Sequence, residues 1–80
     1  MIWIMKQVDF DIDTKGLVCP EPLMLVRNKV REINVGQSVR IVATDPSTRR
    51  DFTNYCRFMG HELAEVTEHG EFFEYVITKG

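Results

Sequence analysis

Hydrophobic and polar residues alternate from Gln7 to Asp13, with Val8, Phe10 and Ile12 on one side and Asp9, Asp11 and Asp13 on the other. That period is the signature of a strand with one buried face. The period then lengthens. Leu23, Val26, Val30 and Ile33 form a single apolar stripe at helical spacing, predicting a helix from about Pro20 to Glu32 that stops before Gly36. Ser38 to Thr44 is rich in β-branched residues, and its Val39 to Ala43 run reads as an interior strand ended by Asp45-Pro46. A second helix is predicted from Ser47 to Met59, with Phe52, Tyr55, Cys56 and Met59 on its apolar face and Gly60 as terminator. Leu63 to Thr67 and Phe72 to Thr78 read as two strands around a His69-Gly70 turn.

The order βαβαββ predicts an α+β fold. Helices between strands require crossovers, so the expected architecture is a two-layer α/β sandwich with a mixed four-stranded sheet and both helices on one face. With 80 residues and no linker or repeat, residues 1–80 read as one domain. The apolar start, Met1-Ile2-Trp3-Ile4-Met5, is expected either to extend the first strand or to cover part of the open face of the sheet.

Charge and cysteine content narrow the function. A formal net charge of -2 argues against a general nucleic-acid binder. No apolar run reaches the length of a membrane span, and the N-terminal pentapeptide lacks the length and basic leader of a signal peptide, so the expected setting is the cytoplasm, with no membrane partner. Two widely separated cysteines make no disulfide framework, and a reducing compartment keeps both as thiols.

The chemistry concentrates in Gly16-Leu17-Val18-Cys19-Pro20-Glu21-Pro22. Pro20 suits a first helical position, which places Cys19 at the N-cap, in the positive end of the helix field, where a thiolate is favoured. Pro22 has no N–H to give and Glu21 adds negative charge, so the expected thiol pKa is lowered only modestly. No second cysteine lies two residues away, and Cys56 reads as a packed core thiol, so a dithiol exchange mechanism is not supported. A solitary thiol of this kind accepts a sulfur atom and holds it as a persulfide until another thiol takes it. His61 and His69 read as loop residues rather than as a base for Cys19, and the two cysteines and two histidines lack the spacing of a zinc site; no metal is expected. On the first helix Met24, Leu25, Arg27 and Arg31 lie off the apolar stripe, forming an apolar centre edged by arginines near Cys19, a pattern that suits protein docking as well as a solvated face. Phe58 and Arg49-Arg50 extend it, while Asp45-Pro46-Ser47-Thr48 reads first as a helix cap.

Asp13-Thr14-Lys15-Gly16-Leu17-Val18-Cys19-Pro20-Glu21-Pro22 resembles the D-x-x-G-L-x-C-P-x-P signature of the TusA sulfur-carrier family, also called SirA-like. The likeness continues through Val26-Arg27, Asp45 to Asp51, Cys56 to Met59, His61 to Leu63 and Tyr75 to Gly80, and so covers nearly the whole chain; Ile2-Trp3-Ile4 lies outside it. The resemblance implies a sandwich like the C-terminal domain of bacterial translation initiation factor three. It also implies that Cys19 receives persulfide sulfur from a cysteine desulfurase and passes it to a downstream sulfur-relay protein, toward 2-thiouridine at the wobble position of certain tRNAs. Asp13 and Gly16 would shape the loop, with Pro20, Glu21 and Pro22 at the helix start. The partner surface would comprise Met24, Leu25, Arg27, Arg31, Asp45, Arg49, Arg50 and Phe58. Pyridoxal phosphate would belong to the desulfurase, leaving this chain without a cofactor. A regulatory or RNA-binding module that retains the cysteine, and a carrier feeding another sulfur or selenium pathway, are the alternatives.

Overall fold

The structure, a computed structural model, describes residues 8–80. The expectation for the apolar N-terminal pentapeptide falls outside them. The elements are β1 (Phe10–Thr14), α1 (Glu21–Glu32), β2 (Ser38–Ala43), α2 (Thr48–Met59), β3 (Glu62–Glu68) and β4 (Phe73–Thr78). The four strands form one sheet in the order β1-β2-β4-β3. β1 runs parallel to β2, whereas β4 is antiparallel to both β2 and β3. The mixed sheet and two-layer sandwich are as expected. β4 inserts between β2 and β3, so the α2 crossover spans the width of one additional strand.

Period-two burial on β2 decides which side faces the helices. Val39, Ile41 and Ala43 are buried, and across the ladder they meet Ile77, Tyr75 and Phe73. From the other layer come Val26, Val30 and Ile33 of α1 and its exit, with Phe52 and Cys56 of α2. Removing a Val, Ile or Phe side chain of this kind from water contributes roughly 1.5–3 kcal/mol each. The opposite face is mixed: Val76 is buried there opposite Arg40, and charge ties the rest, with Arg40 bonding Glu74 and reaching Asp11 at 3.3 Å, and Glu74 also bonding His69 at 2.7 Å.

Two buried hydroxyl groups are satisfied at the top of the core. Thr14 donates to the Val42 carbonyl at 2.8 Å. Thr48 donates to the Asp45 carbonyl at 2.7 Å, which spends its one hydrogen, so the Tyr75 hydroxyl must donate to Thr48 across their 2.8 Å contact. Tyr75 in turn meets Phe52 edge to face, with centroids 4.7 Å apart.

The differences from expectation lie at element ends. β1 starts at Phe10 and continues to Thr14, because the parallel ladder with β2 runs on to the Thr14–Ala43 pair. The β3–β4 connection occupies residues 69–72, closed by the His69 N–H to the Phe72 carbonyl at 2.9 Å, with Gly70 at φ 91°. Met59, expected in the core, is 54% exposed. It shares a side of α2 with Phe52 and Cys56 but is the last residue before the left-handed Gly60, past the buried positions of the helix.

Burial predicts a sharp contrast on α2. Phe52→Ala should lose about 3–5 kcal/mol in chemical denaturation, whereas Phe58→Ala, at a position 89% exposed, should stay within about 0.5 kcal/mol of the parent.

Candidate functional site

The parallel β1–β2 pair ends level, at Thr14 and Ala43, so the loops that follow lie side by side. The β1–α1 loop turns at once. The Asp13 carboxylate accepts the Lys15 N–H at 2.9 Å, the Leu17 N–H returns to the Thr14 carbonyl at 3.1 Å, and Gly16 adopts φ 86°, which a side chain would disfavour. The Gly16 N–H crosses to the Thr44 hydroxyl at 2.9 Å. Three residues on, the Cys19 N–H crosses again, to Asp45 Oδ2 at 2.7 Å. The other oxygen of that carboxylate accepts the Ser47 N–H at 3.0 Å. One aspartate thus fastens the cysteine to the start of α2, and these two N–H groups hold the Asp45 carboxyl below its usual pKa.

The start of α1 differs from the expected arrangement. Pro20 is the N-cap, Glu21 is the first helical residue, and the Cys19–Pro20 peptide is cis. Cys19 stands one residue before the cap. The Glu21 N–H, the donor expected nearest the thiol, goes to the Val18 carbonyl at 2.9 Å. The Glu21 N–H is thus spent within the loop, and Pro20 and Pro22 have none to give the thiol.

The thiol pKa is correspondingly raised, not lowered. Asp51 contributes most, as an acceptor that favours the protonated thiol and as a charge that opposes a thiolate, with local desolvation and the Asp45 charge acting in the same direction. Ser47 alone opposes this, its hydroxyl favouring the anion. Neither Ser47 nor Asp51 stands out in the sequence as part of a thiol site. Ser47 reads there as a cap residue, and Asp51 is simply the last residue of the family-like Asp45 to Asp51 stretch. Their spacing of four on the first turn of a helix is the one available signal, and it acquires meaning only once the Asp45 bond brings Cys19 against that turn.

Cys19 is exposed and Cys56 buried. Burial pushes the Cys56 thiol up to about 11, in keeping with a core cysteine. The histidines are engaged elsewhere: His61 Nδ1 accepts the Gly80 N–H at 3.0 Å, and His69 bonds Glu74. Among the described residues no three His, Cys, Asp or Glu side chains gather in a group able to hold a metal ion.

The expected partner residues separate into two faces. Leu17, Glu21, Met24, Leu25 and Asn28 line one shallow pocket on the outer side of α1. Arg27, Arg31, Tyr55 and Phe58 line another between α1 and α2, joined by Met59, His61 and Lys79. Met24, Leu25 and Phe58 are all exposed. Arg49 pairs with Glu68 of β3 at 3.3 Å and Arg50 lies 3.6 Å from Asp51, so both arginines have partners within the chain, as does Asp45.

Fold and site define a class: small α/β sandwiches that present one thiol from a fastened loop and bury the other. Comparison with known proteins gives the class its identity. The family model described as Sulfurtransferase TusA matches residues 10–79. A sulfur carrier protein TusA of Pseudomonas syringae pv. syringae (strain B728a) is 48% identical over 73 residues, covering 90% of this chain and 87% of the relative. Its counterpart in Pseudomonas paraeruginosa (strain DSM 24068 / PA7) is 49% identical over 72 residues, covering 90% and 91%. The crystal structure of a SirA-like protein from Desulfitobacterium hafniense shares the fold at a TM-score of 0.80, with 23% identity, over 90% of this chain and 99% of that one. The chain belongs to the TusA sulfurtransferase family, and its role is that of a sulfur carrier. No helix among the described residues is long and apolar enough to cross a membrane.

Two thiols in different settings should behave differently. Iodoacetamide should modify Cys19 in the native protein, with a rate that climbs through a midpoint above the ordinary thiol value, and should reach Cys56 only after unfolding. For Cys56 the folded pKa lies above the unfolded one, so its contribution to stability is complete below the unfolded value near ~8.5 and falls as pH rises toward about 11. Denaturation curves between pH 8 and 11 should show this loss as a difference from Cys56→Ala, and parallel curves would remove it.

Proposed function

We propose that this chain accepts sulfur as a persulfide on Cys19 from a cysteine desulfurase and hands it to a downstream relay protein, in the cytoplasm, toward 2-thiolation of the tRNA wobble uridine. The observation that carries the reading is the exposed Cys19, fixed through its own N–H to Asp45 while its sulfur stays open to a partner. The sulfur-carrier names of close relatives support the same chemistry.

In the loading step the Cys19 sulfur attacks the terminal sulfur of the desulfurase persulfide. A new S–S bond forms at Cys19, the old one breaks, and the desulfurase cysteine leaves as a thiolate that takes up the proton Cys19 has lost. The sulfane sulfur keeps its oxidation state, so no external oxidant or reductant enters. Unloading repeats the exchange with the receiving thiol as the attacker. Cys56, buried and held protonated, takes no part.

A partner must bring its own cysteine to within bonding distance of Cys19, which calls for a docking surface beside it. The groove of Arg27, Arg31, Tyr55 and Phe58 supplies aromatic and arginine anchors of the sort that dominate association, and Met24 and Leu25 line the pocket on the outer side of α1.

Incubation with a desulfurase and cysteine should add one sulfur atom to the intact mass, removable by reductant; Cys19→Ser should abolish the gain and Cys56→Ser should retain it. No mass gain on the folded parent would overturn the carrier reading. Reversing charge at Arg27 and Arg31 together should weaken desulfurase binding by about tenfold or more in calorimetric titration. Reactivity of Cys19 toward a small disulfide should persist in that variant.

A further inference from the structure

Ser47 Oγ is the one buried side-chain polar atom without a hydrogen-bond partner among the described residues. Native interiors pair nearly all such groups, so an unpaired one calls for an explanation. Its surroundings supply one. Ser47 is the N-cap of α2 yet makes no side-chain cap bond, although a serine there ordinarily turns its oxygen onto the first turn of the helix. Its backbone N–H is bound to the same Asp45 carboxylate that holds the Cys19 N–H, which keeps residue 47 beside the cysteine. One turn further, Asp51 anchors its N–H on the Ser47 carbonyl at 3.0 Å and keeps its side chain only 17% exposed. An unpaired hydroxyl and a half-buried carboxylate therefore share the one helical turn that Asp45 fastens to the Cys19 backbone.

We infer that Ser47 and Asp51 manage the proton of the transfer step: Asp51 accepts the Cys19 proton as the sulfur attacks, and Ser47 donates to the sulfur anion, thiolate or persulfide, a hydrogen bond that the resting thiol does not receive. This rests on the carrier reading for its biological use, but the thiol chemistry itself needs no partner. The proton passes from Cys19 to Asp51 and on to the departing thiolate of the donor. The S–S bond made at Cys19 replaces the one broken in the donor, and no electrons are gained or lost overall. In the resting state the Ser47 hydroxyl makes no hydrogen bond of its own, although it lies beside the Asp45 carboxylate. Once Asp51 has passed the proton to the leaving thiolate, its restored charge repels the persulfide anion at Cys19 while the Ser47 hydroxyl attracts it. The charged groups acting on the sulfur are Asp51 of α2 and Asp45 of the β2–α2 loop, with Arg50 attracting both carboxylates; Glu21, in the first turn of α1, lines the outer pocket.

The two residues must move the titration of Cys19 in opposite directions, which a merely structural disturbance would not do. In a Cys56→Ser background, iodoacetamide alkylation followed across pH should show a lower Cys19 midpoint in Asp51→Asn and a higher one in Ser47→Ala. Ser47→Ala should keep the parent thermal stability or exceed it, since it deletes an unpaired donor. Its sulfur uptake from glutathione persulfide at neutral pH should slow by about tenfold, the scale of one hydrogen bond to a charged group. Should Ser47→Ala fold poorly, Ser47→Gly, tolerated at an N-cap, gives the same reading. Midpoints that stay fixed, or shift the same way in both variants, overturn the inference. Opposite shifts without any sulfur uptake by the parent would instead uphold the proton assignment and remove the carrier function.

Discussion

Everything at the site follows from the parallel pairing of β1 with β2 in a register that ends both strands at the same level, Thr14 beside Ala43. Parallel neighbours send their outgoing loops in one direction, so Lys15 to Pro20 and Thr44 to Ser47 emerge together. Backbone groups in such loops need partners, and here they find them across the gap: the Gly16 N–H on Thr44 and the Cys19 N–H on Asp45. An antiparallel pairing of the same two strands would send these loops to opposite ends of the sheet. The placement of β4 between β2 and β3 adds to this, because Tyr75 then lies under the start of α2 and fixes Thr48, one residue beyond Ser47.

The electrostatics of the thiol are those of a carrier rather than of a strong oxidant. Disulfide oxidants stabilise a thiolate with helix N–H groups and cations. Cys19 has neither: Pro20 and Pro22 lack N–H groups, Glu21 spends its own on Val18, and the nearest charges are carboxylates. A thiol kept protonated at rest resists stray oxidation and retains high nucleophilicity once deprotonated, because nucleophilicity rises with pKa. The proton must then be removed at the moment of transfer, and that requirement gives the carboxylate of Asp51 a function beyond the fold.

Most of the residues expected to dock a partner fall into two separate pockets. The two pockets flanking the ridge of α1 differ in character, the outer one largely apolar with a single acid and the inner one rich in arginine and aromatic rings. Leu25 and Arg27 are close in sequence but turn toward different sides, as residues two apart on a helix must. Arg49 and Arg50 sit apart from both pockets, committed to Glu68 and Asp51.

The sequence by itself determined the architecture. Phe10 and Ile12, the stripe from Leu23 to Ile33 and the run from Val39 to Ala43 carry the periods of their observed elements, since burial on one face imposes period 2 on strands and 3.6 on helices. It also marked Cys19 as the exposed thiol and Cys56 as the core one. Only the tertiary structure decided how Cys19 is activated. A local reading assigns its field to α1, the helix that follows in sequence, and so takes the pKa as lowered and the N-cap as Cys19. In the folded chain the groups that govern the sulfur come from the turn beginning α2, Asp45, Ser47 and Asp51, some 26 residues away by the Cys19–Asp45 bond. No periodicity encodes that approach. It is produced by strand register and loop-to-loop hydrogen bonding, which sum over two ladders and a crossover, whereas hydrophobic pattern reports only on which side of its own element a residue lies.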